Sequence, residues 1–199
     1  MAITYPISMP TVIGPNQVTL TAENVVSSSM SPFTFQEQLI RHAGERWSAS
    51  VSIPPVHRDL AEPWIAFLLS LNGRQGTFLL GDPNAKSPRG GATYVTVNSA
   101  NAQASELTIA SISGGTLKAG DYFQLGSGDA ARLYKILNDV DSAGDTINVW
   151  PRLRFSVATG VSLTLNDTVG RFRLSDSRTS WNINEASSYG ISFDCVEAI

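Results

Sequence analysis

The segment GRQGTFLLGDPNAKSPRGG (73–91) places glycines around an apolar run and follows them with charged residues, as phosphate-binding loops do. A P-loop requires Gly-x4-Gly followed by Lys and then Ser or Thr, between a strand and a helix. Gly76 and Gly81 have this spacing, but Asp82 stands where the lysine is needed, and its carboxylate would repel a phosphate. The segment therefore predicts a turn that leaves a buried strand.

Residues 139–145 (DVDSAGD) carry the acidic pattern of a calcium-binding loop. An EF-hand loop needs an oxygen donor at its fifth position, Gly at the sixth and Glu at the twelfth. Counting from Asp139, these positions hold Ala143, Gly144 and Trp150, so only the glycine matches. The segment predicts a hairpin loop between two strands.

The histidines and the cysteine offer little for catalysis. His42 and His57 are expected at the edges of a strand and a helix, without the partners that a general base needs. Cys195 lies on the apolar face of a terminal strand, where a thiol is a small hydrophobic residue. We expect no enzymatic activity, no cofactor and no metal site. A hydrolase remains an alternative, and it would require two carboxylates or a histidine facing each other in a cleft.

The composition predicts a surface that is either rich in Ser, Thr, Asn and Gly or partly covered by other subunits. Hydrophobic residues make up 42% of its 199 residues, but charged residues only 16%, below the usual quarter. The net charge of −3 argues against a basic face that binds nucleic acid. An apolar run of about 18 residues is missing, so no membrane span is expected. The stretch MAITYPISMPTVIG has two prolines and no basic residues before its apolar ones, so no secretion signal is expected in it.

The first 92 residues predict strands and one helix. Residues 33–42 and 46–55 are expected to form a hairpin around an Ala-Gly-Glu turn at 43–45, with Trp47 on its buried face. An apolar stripe predicts a helix over 59–72, and 77–80 predicts a short strand. The residues expected to share one core are Trp47, Val51, Trp64, Phe67, Leu68, Phe78, Leu80 and Phe193.

The pattern of strand-like segments in the sequence changes near residue 93. Short strand-like segments then follow one another at intervals of about 8–15 residues, separated by Gly, Asn, Asp and Ser, as in small all-β barrels. The last 33 residues again show strand-like patterns of the kind found in the first half of the chain. We therefore predict a discontinuous domain, 1–92 plus 167–199, with a small β-barrel inserted at 93–166.

The run FTFQEQLIRHAGERWSASVSIPPVHRDLAEPWIAFLLSLNGRQGTFLLGDPNAKSPRG, together with the closing YGISFDCVEAI, resembles tail proteins of long-tailed, non-contractile bacteriophages. Its pattern is H-x-G-E-R-W, two prolines, a helix with Trp and a double Leu, and then G-x-x-G-T-F-L-L-G-D-P. It is similar to the distal tail protein family, whose members form the ring that joins the tail tube to the tail tip.

This resemblance implies a fold, an assembly and a location. The fold would be mainly β: a tail-tube-like β-sandwich with one flanking α-helix, plus an inserted small β-barrel. The assembly would be a hexameric ring of this chain in the virion tail, made in the bacterial host cytoplasm. A tail tube protein would lie above it and a tail tip hub protein below it. Double-stranded DNA would pass through without specific binding.

A ring around DNA needs a channel wall that does not grip phosphates, because each Lys or Arg that neutralises a phosphate strengthens binding. We expect an acidic or neutral wall, with the hairpin around Gln36, Glu37 and Glu45 as the candidate lining. Arg41 and Arg46 would then be paired or turned towards neighbouring subunits.

The alternative is a carbohydrate- or receptor-binding tail module that uses the inserted barrel. Such a module would need aromatic side chains exposed on one barrel face. The candidates are Tyr122, Phe123, Tyr134 and Trp150.

Overall fold

The computed structural model describes residues 3–185 and 187–199 and shows a mainly β fold with two six-stranded antiparallel sheets. One α-helix occurs in these residues, so the predicted fold class is confirmed. The elements are β1 (Gln17–Met30), β2 (Glu37–Val56), α1 (Arg58–Ser70), β3 (Phe78–Leu80), β4 (Tyr94–Val97), β5 (Glu106–Ser113), β6 (Tyr122–Leu125), β7 (Arg132–Ile136), β8 (Thr146–Trp150), β9 (Val161–Ser162), β10 (Gly170–Leu174), β11 (Trp181–Ile183) and β12 (Tyr189–Glu197).

The first sheet has the strand order β1-β2-β12-β10-β3, and β11 pairs with the start of β12. Alternation along β2 sends Trp47, Val51 and Ile53 to a buried face and Ser50 to an exposed one. Helix α1 packs on the buried face, and the N-terminal segment joins it, since the Ile7 N–H donates to the Thr77 carbonyl at 3.0 Å. One face of this sheet is therefore covered and the other is open and polar.

The predicted core residues lie in one cluster on the covered face. Aromatic rings connect the helix to the strands: Phe67 lies edge-on to Phe78 with ring centroids 5.5 Å apart, and Phe78 lies edge-on to Phe193 at 6.0 Å. The cluster holds all of the predicted core residues, namely Trp47, Val51, Trp64, Phe67, Leu68, Phe78, Leu80 and Phe193.

The predicted hairpin turn at 43–45 is wrong. Residues 37–56 form the single strand β2, which pairs along its length with β1, so the turn lies at residues 31–36. The Ala-Gly-Glu segment is an irregularity in this ladder, where the register shifts between Asn24 and Val26. A Cβ on Gly44 would lie 2.8 Å from Cγ2 of Val25, so this glycine admits the neighbouring strand rather than reversing the chain.

The second sheet curls into a barrel with the order β6-β7-β8-β5-β4-β9. Gln124 on β6 closes it by exchanging two backbone hydrogen bonds with Thr164, at 2.8 and 3.0 Å. The barrel has its own buried cluster, in which the rings of Phe123 and Tyr134 stack at 5.2 Å. The chain enters and leaves it side by side, since the Asp167 N–H donates to the Lys86 carbonyl at 3.0 Å. The exact limits 93 and 166 stay a prediction.

The predicted turn after β3 is confirmed, because the Asp82 carboxylate accepts the Asn84 N–H at 2.9 Å directly after the strand. Gly81 is required there: a Cβ would collide with the Thr168 carbonyl oxygen, a backbone atom of the neighbouring chain segment.

We predict that Gly81→Ala lowers the free energy of unfolding by about 1–3 kcal/mol, the range for overpacking. Urea unfolding of the variant and of the wild type measures this difference in the free energy of unfolding.

Gly14→Ala is the matched control, because nothing lies within 4 Å of a Cβ at that position. Equal midpoints for the two alanine variants would contradict this account of the turn.

Candidate functional site: the barrel clamp and the hairpin arm

A buried ion pair fastens the barrel to the first sheet. Arg154, which follows β8, donates from Nε to Glu197 Oε1 at 3.0 Å and from Nη2 to Glu197 Oε2 at 2.6 Å. The two side chains are 6% and 2% exposed. The Trp47 N–H also donates to Glu197, at 3.2 Å, so the carboxylate is satisfied from both units. We call this group, with the Glu45 contacts below, the barrel clamp.

The backbone of Arg154 belongs to the same clamp. Its N–H donates to the Tyr134 hydroxyl at 3.0 Å, and burial raises the pKa of Tyr134 to about 12. Arg154 Nη2 also reaches the Glu45 carbonyl at 2.6 Å. The barrel thus has a fixed orientation on the sheet and does not hang on a flexible linker.

The structure corrects the expected role of Glu45 as a channel-lining residue. Its side chain is only 1% exposed and lies on the same face of β2 as Trp47. The carboxylate accepts the Arg152 N–H at 2.8 Å and Arg41 Nη2 at 2.6 Å. The expectation was wrong because Glu45 lies within a strand and under the barrel, not in a turn.

Three aromatic side chains expected on a carbohydrate-binding face are also buried. Tyr122, Phe123 and Tyr134 belong to the cores. Trp150 is half-buried: it lies edge-on to Trp47 with ring centroids 4.4 Å apart, and its Nε1 donates to the Asn24 side-chain oxygen at 2.8 Å. Phe123 and Tyr134 fill the barrel core, and Tyr122 and Trp150 pack against Trp47 of the first sheet, so the four rings do not form the expected binding platform.

Beyond the clamp, β1 and β2 leave the body of the protein as a two-stranded hairpin. We call residues 25–42 the hairpin arm. Strand β12 pairs with β2 only from Ser48 onwards, so among the described residues no third strand pairs with the arm. A rise of about 3.3 Å per residue gives it a reach of about 20 Å. A lone two-stranded hairpin is marginally stable in water.

The hairpin arm exposes several large apolar side chains. At its tip Phe33 is 92% exposed and Phe35 75%, around a turn closed by the Phe35 N–H on the Ser31 carbonyl at 2.9 Å. An exposed surface formed by several large apolar side chains indicates an interaction site. The large exposed apolar residues of the arm are Val25, Val26, Met30, Phe33, Phe35, Leu39 and Ile40.

The other two channel-lining candidates, Gln36 and Glu37, lie at this tip and are exposed. Whether they face a channel stays a prediction. The basic residues of the region are paired, as expected: Arg41 with Glu45, and Arg46 with Glu23 at 2.6 Å. The hydrogen bonds from Ser48 and Arg46 hold the pKa of Glu23 below its usual value.

The remaining candidates for chemistry have structural surroundings. Among the described residues, no three His, Cys, Asp or Glu side chains are placed to hold a metal ion. Asp145 accepts the N–H groups of Asp141 and Ser142, which lower the pKa of its carboxyl, and so closes the hairpin loop between β7 and β8. The His42 ring nitrogen Nε2 forms a hydrogen bond with the Ser27 hydroxyl at 3.0 Å. Burial raises the pKa of Cys195 to about 12.

Arg154 and Glu197 were not among the residues expected at a functional site, although the sequence carries a signal for Glu197. Ile191, Phe193 and Cys195 alternate on the buried face of β12, and Glu197 continues that alternation. A carboxylate at a buried position requires a partner, because an unpaired buried charge is very unfavourable. The partner itself could not be found, since Arg154 is 43 residues away in the chain.

Comparison with protein-family models gave no match, and comparison with curated protein sequences gave no significant match. In the described part of the chain, α1 spans 13 residues, and no helix is long and apolar enough to cross a bilayer.

Proposed function

We propose that this chain is a structural subunit of a ring in the tail of a long-tailed, non-contractile bacteriophage, which joins the tail tube to the tail tip around the DNA channel. The observation that carries the proposal is the hairpin arm. All seven of its large apolar side chains are more than half exposed. Large contiguous apolar patches of this kind mark protein interaction sites.

The barrel clamp supports the same function. A subunit that joins two parts of an assembly needs its own two units, the first sheet and the barrel, held in a fixed orientation to each other. The Arg154–Glu197 pair and the Trp47–Trp150 contact provide that relation at no cost in exposed binding surface. The fold class also agrees with the resemblance to distal tail proteins.

The electrostatics suit a conduit. Arg41 and Arg46 are paired with the carboxylates of Glu45 and Glu23, which weakens the attraction of these two cations for phosphate. We therefore expect purified protein to bind duplex DNA only weakly at physiological salt, with little dependence of affinity on salt concentration.

Electron microscopy of the purified protein tests this function together with DNA binding. We expect closed rings with a bore that admits duplex DNA, and no retention of a labelled duplex. Rings without a bore, or tight salt-dependent binding of the duplex, would contradict the proposal.

A further inference from the structure

The hairpin arm ends in a segment suited to an apolar cavity. Residues 30–36 (MSPFTFQ) contain no charged side chain, and both phenylalanines point into solvent. Such a tip can be buried without removing an ion from water, which would oppose binding strongly.

A cavity of matching chemistry lies beside β3. Its volume is about 520 Å³, and its apolar lining comes from the N-terminal segment, the end of β3 and the approach to β10. A cavity of roughly 150 Å³ accommodates one benzene molecule, so this one has room for two phenyl rings. The apolar lining residues are Met9, Pro15, Leu80, Pro83 and Val169, and Asp82, Lys86 and Asp167 also contribute to the lining.

The hairpin arm and this β3 cavity lie at opposite edges of the first sheet. The strand order β1-β2-β12-β10-β3 puts the arm at one edge and the cavity at the other. An arm therefore lies far from the cavity of its own chain. Two different surfaces that fit one another make a heterologous contact, which repeats from copy to copy and closes into a ring when the rotation allows.

We propose that the arm tip of one copy, with Phe33 and Phe35, occupies the β3 cavity of the next copy. The inference rests on the proposed ring and adds the two surfaces that join its subunits. Both surfaces belong to the same chain, so each copy supplies one tip and one cavity.

Engineered disulfides test this contact. Thr34 lies between the two phenylalanines and Thr11 at the cavity, and both are exposed. The double variant Thr34→Cys/Thr11→Cys is expected to give, on mild oxidation, a ladder of covalent multimers on a denaturing gel. The native Cys195 is buried and adds no background. The matched control is Thr34→Cys/Asn101→Cys, since Asn101 is exposed on the barrel; it should give no ladder.

A second variant, Phe33→Ser/Phe35→Ser, changes only exposed side chains and should stay folded. We expect it to weaken self-association at least tenfold by sedimentation.

The outcomes distinguish a failure of the proposed contact from a failure of the proposed ring. Multimers of the wild-type chain without a specific ladder would overturn the contact and leave the ring standing. Covalent dimers of Thr34→Cys alone would also overturn it, because they would indicate that arms pair with each other. A wild-type chain that stays monomeric would overturn both.

Discussion

Replacing Arg154 by methionine is expected to lower the free energy of unfolding by about 3–5 kcal/mol, the range for removing one partner of a buried ion pair. The variant leaves the Glu197 carboxylate inside the protein, where the Trp47 N–H is its one remaining donor among the described residues. It also removes the donor to the Glu45 carbonyl. Urea unfolding, followed by tryptophan fluorescence, measures the change.

Two controls isolate the cause. Arg154→Met/Glu197→Gln removes both charges and keeps an acceptor for the Trp47 N–H, so it should recover most of the lost stability. Arg58→Met breaks the exposed pair of Arg58 with Glu62 on α1 and should leave the midpoint unchanged. If the Arg154 and Arg58 variants unfold at the same urea concentration, the clamp does not hold the barrel.

Replacing Trp64 by alanine is expected to cost about 3–5 kcal/mol, because it opens a large cavity in the core. Trp64 is fully buried, with its ring centroid 5.8 Å from that of Phe67 and 6.3 Å from that of Phe193. Its Nε1 donates to the Ile13 carbonyl at 3.2 Å, so the variant also releases the N-terminal segment. The measurement is the thermal midpoint together with urea unfolding.

Leu69→Ala is the matched control on the same helix, since Leu69 is 56% exposed. Its effect should stay within about 0.5 kcal/mol, as for most surface substitutions. A midpoint of the Trp64 variant within a degree or two of wild type would place this residue outside the core.

The helix, the buried faces and the barrel could be predicted because they follow from local periodicity. Trp64, Phe67 and Leu68 mark one helix stripe, and alternation around Trp47 marks one strand face. Each pattern involves neighbours in sequence, and burial of apolar area enforces it regardless of the partner.

The long hairpin could not be predicted, because strand pairing is non-local. A polar serine run such as residues 27–29 is typical of a break in a strand, but here it lies within β1, and Gly44 lies within β2 although a turn was expected there. The position of the turn fixes which residues project. The misplaced turn therefore hid the hairpin arm and put Glu45 on the wrong surface.

The barrel clamp could not be predicted from the sequence for a related reason. Its charges come from β2, β12 and the segment after β8, which meet only once both units are folded. A buried-face glutamate can be recognised from alternation, but its partner depends on how the barrel docks.

The mass of the purified chain in solution tests the central claim most directly. Sedimentation velocity across a range of protein concentrations should show a discrete assembly of six copies of the 21.3 kDa chain. A single 21.3 kDa species at every concentration would contradict the account, since the hairpin arm would then have no second copy to bind.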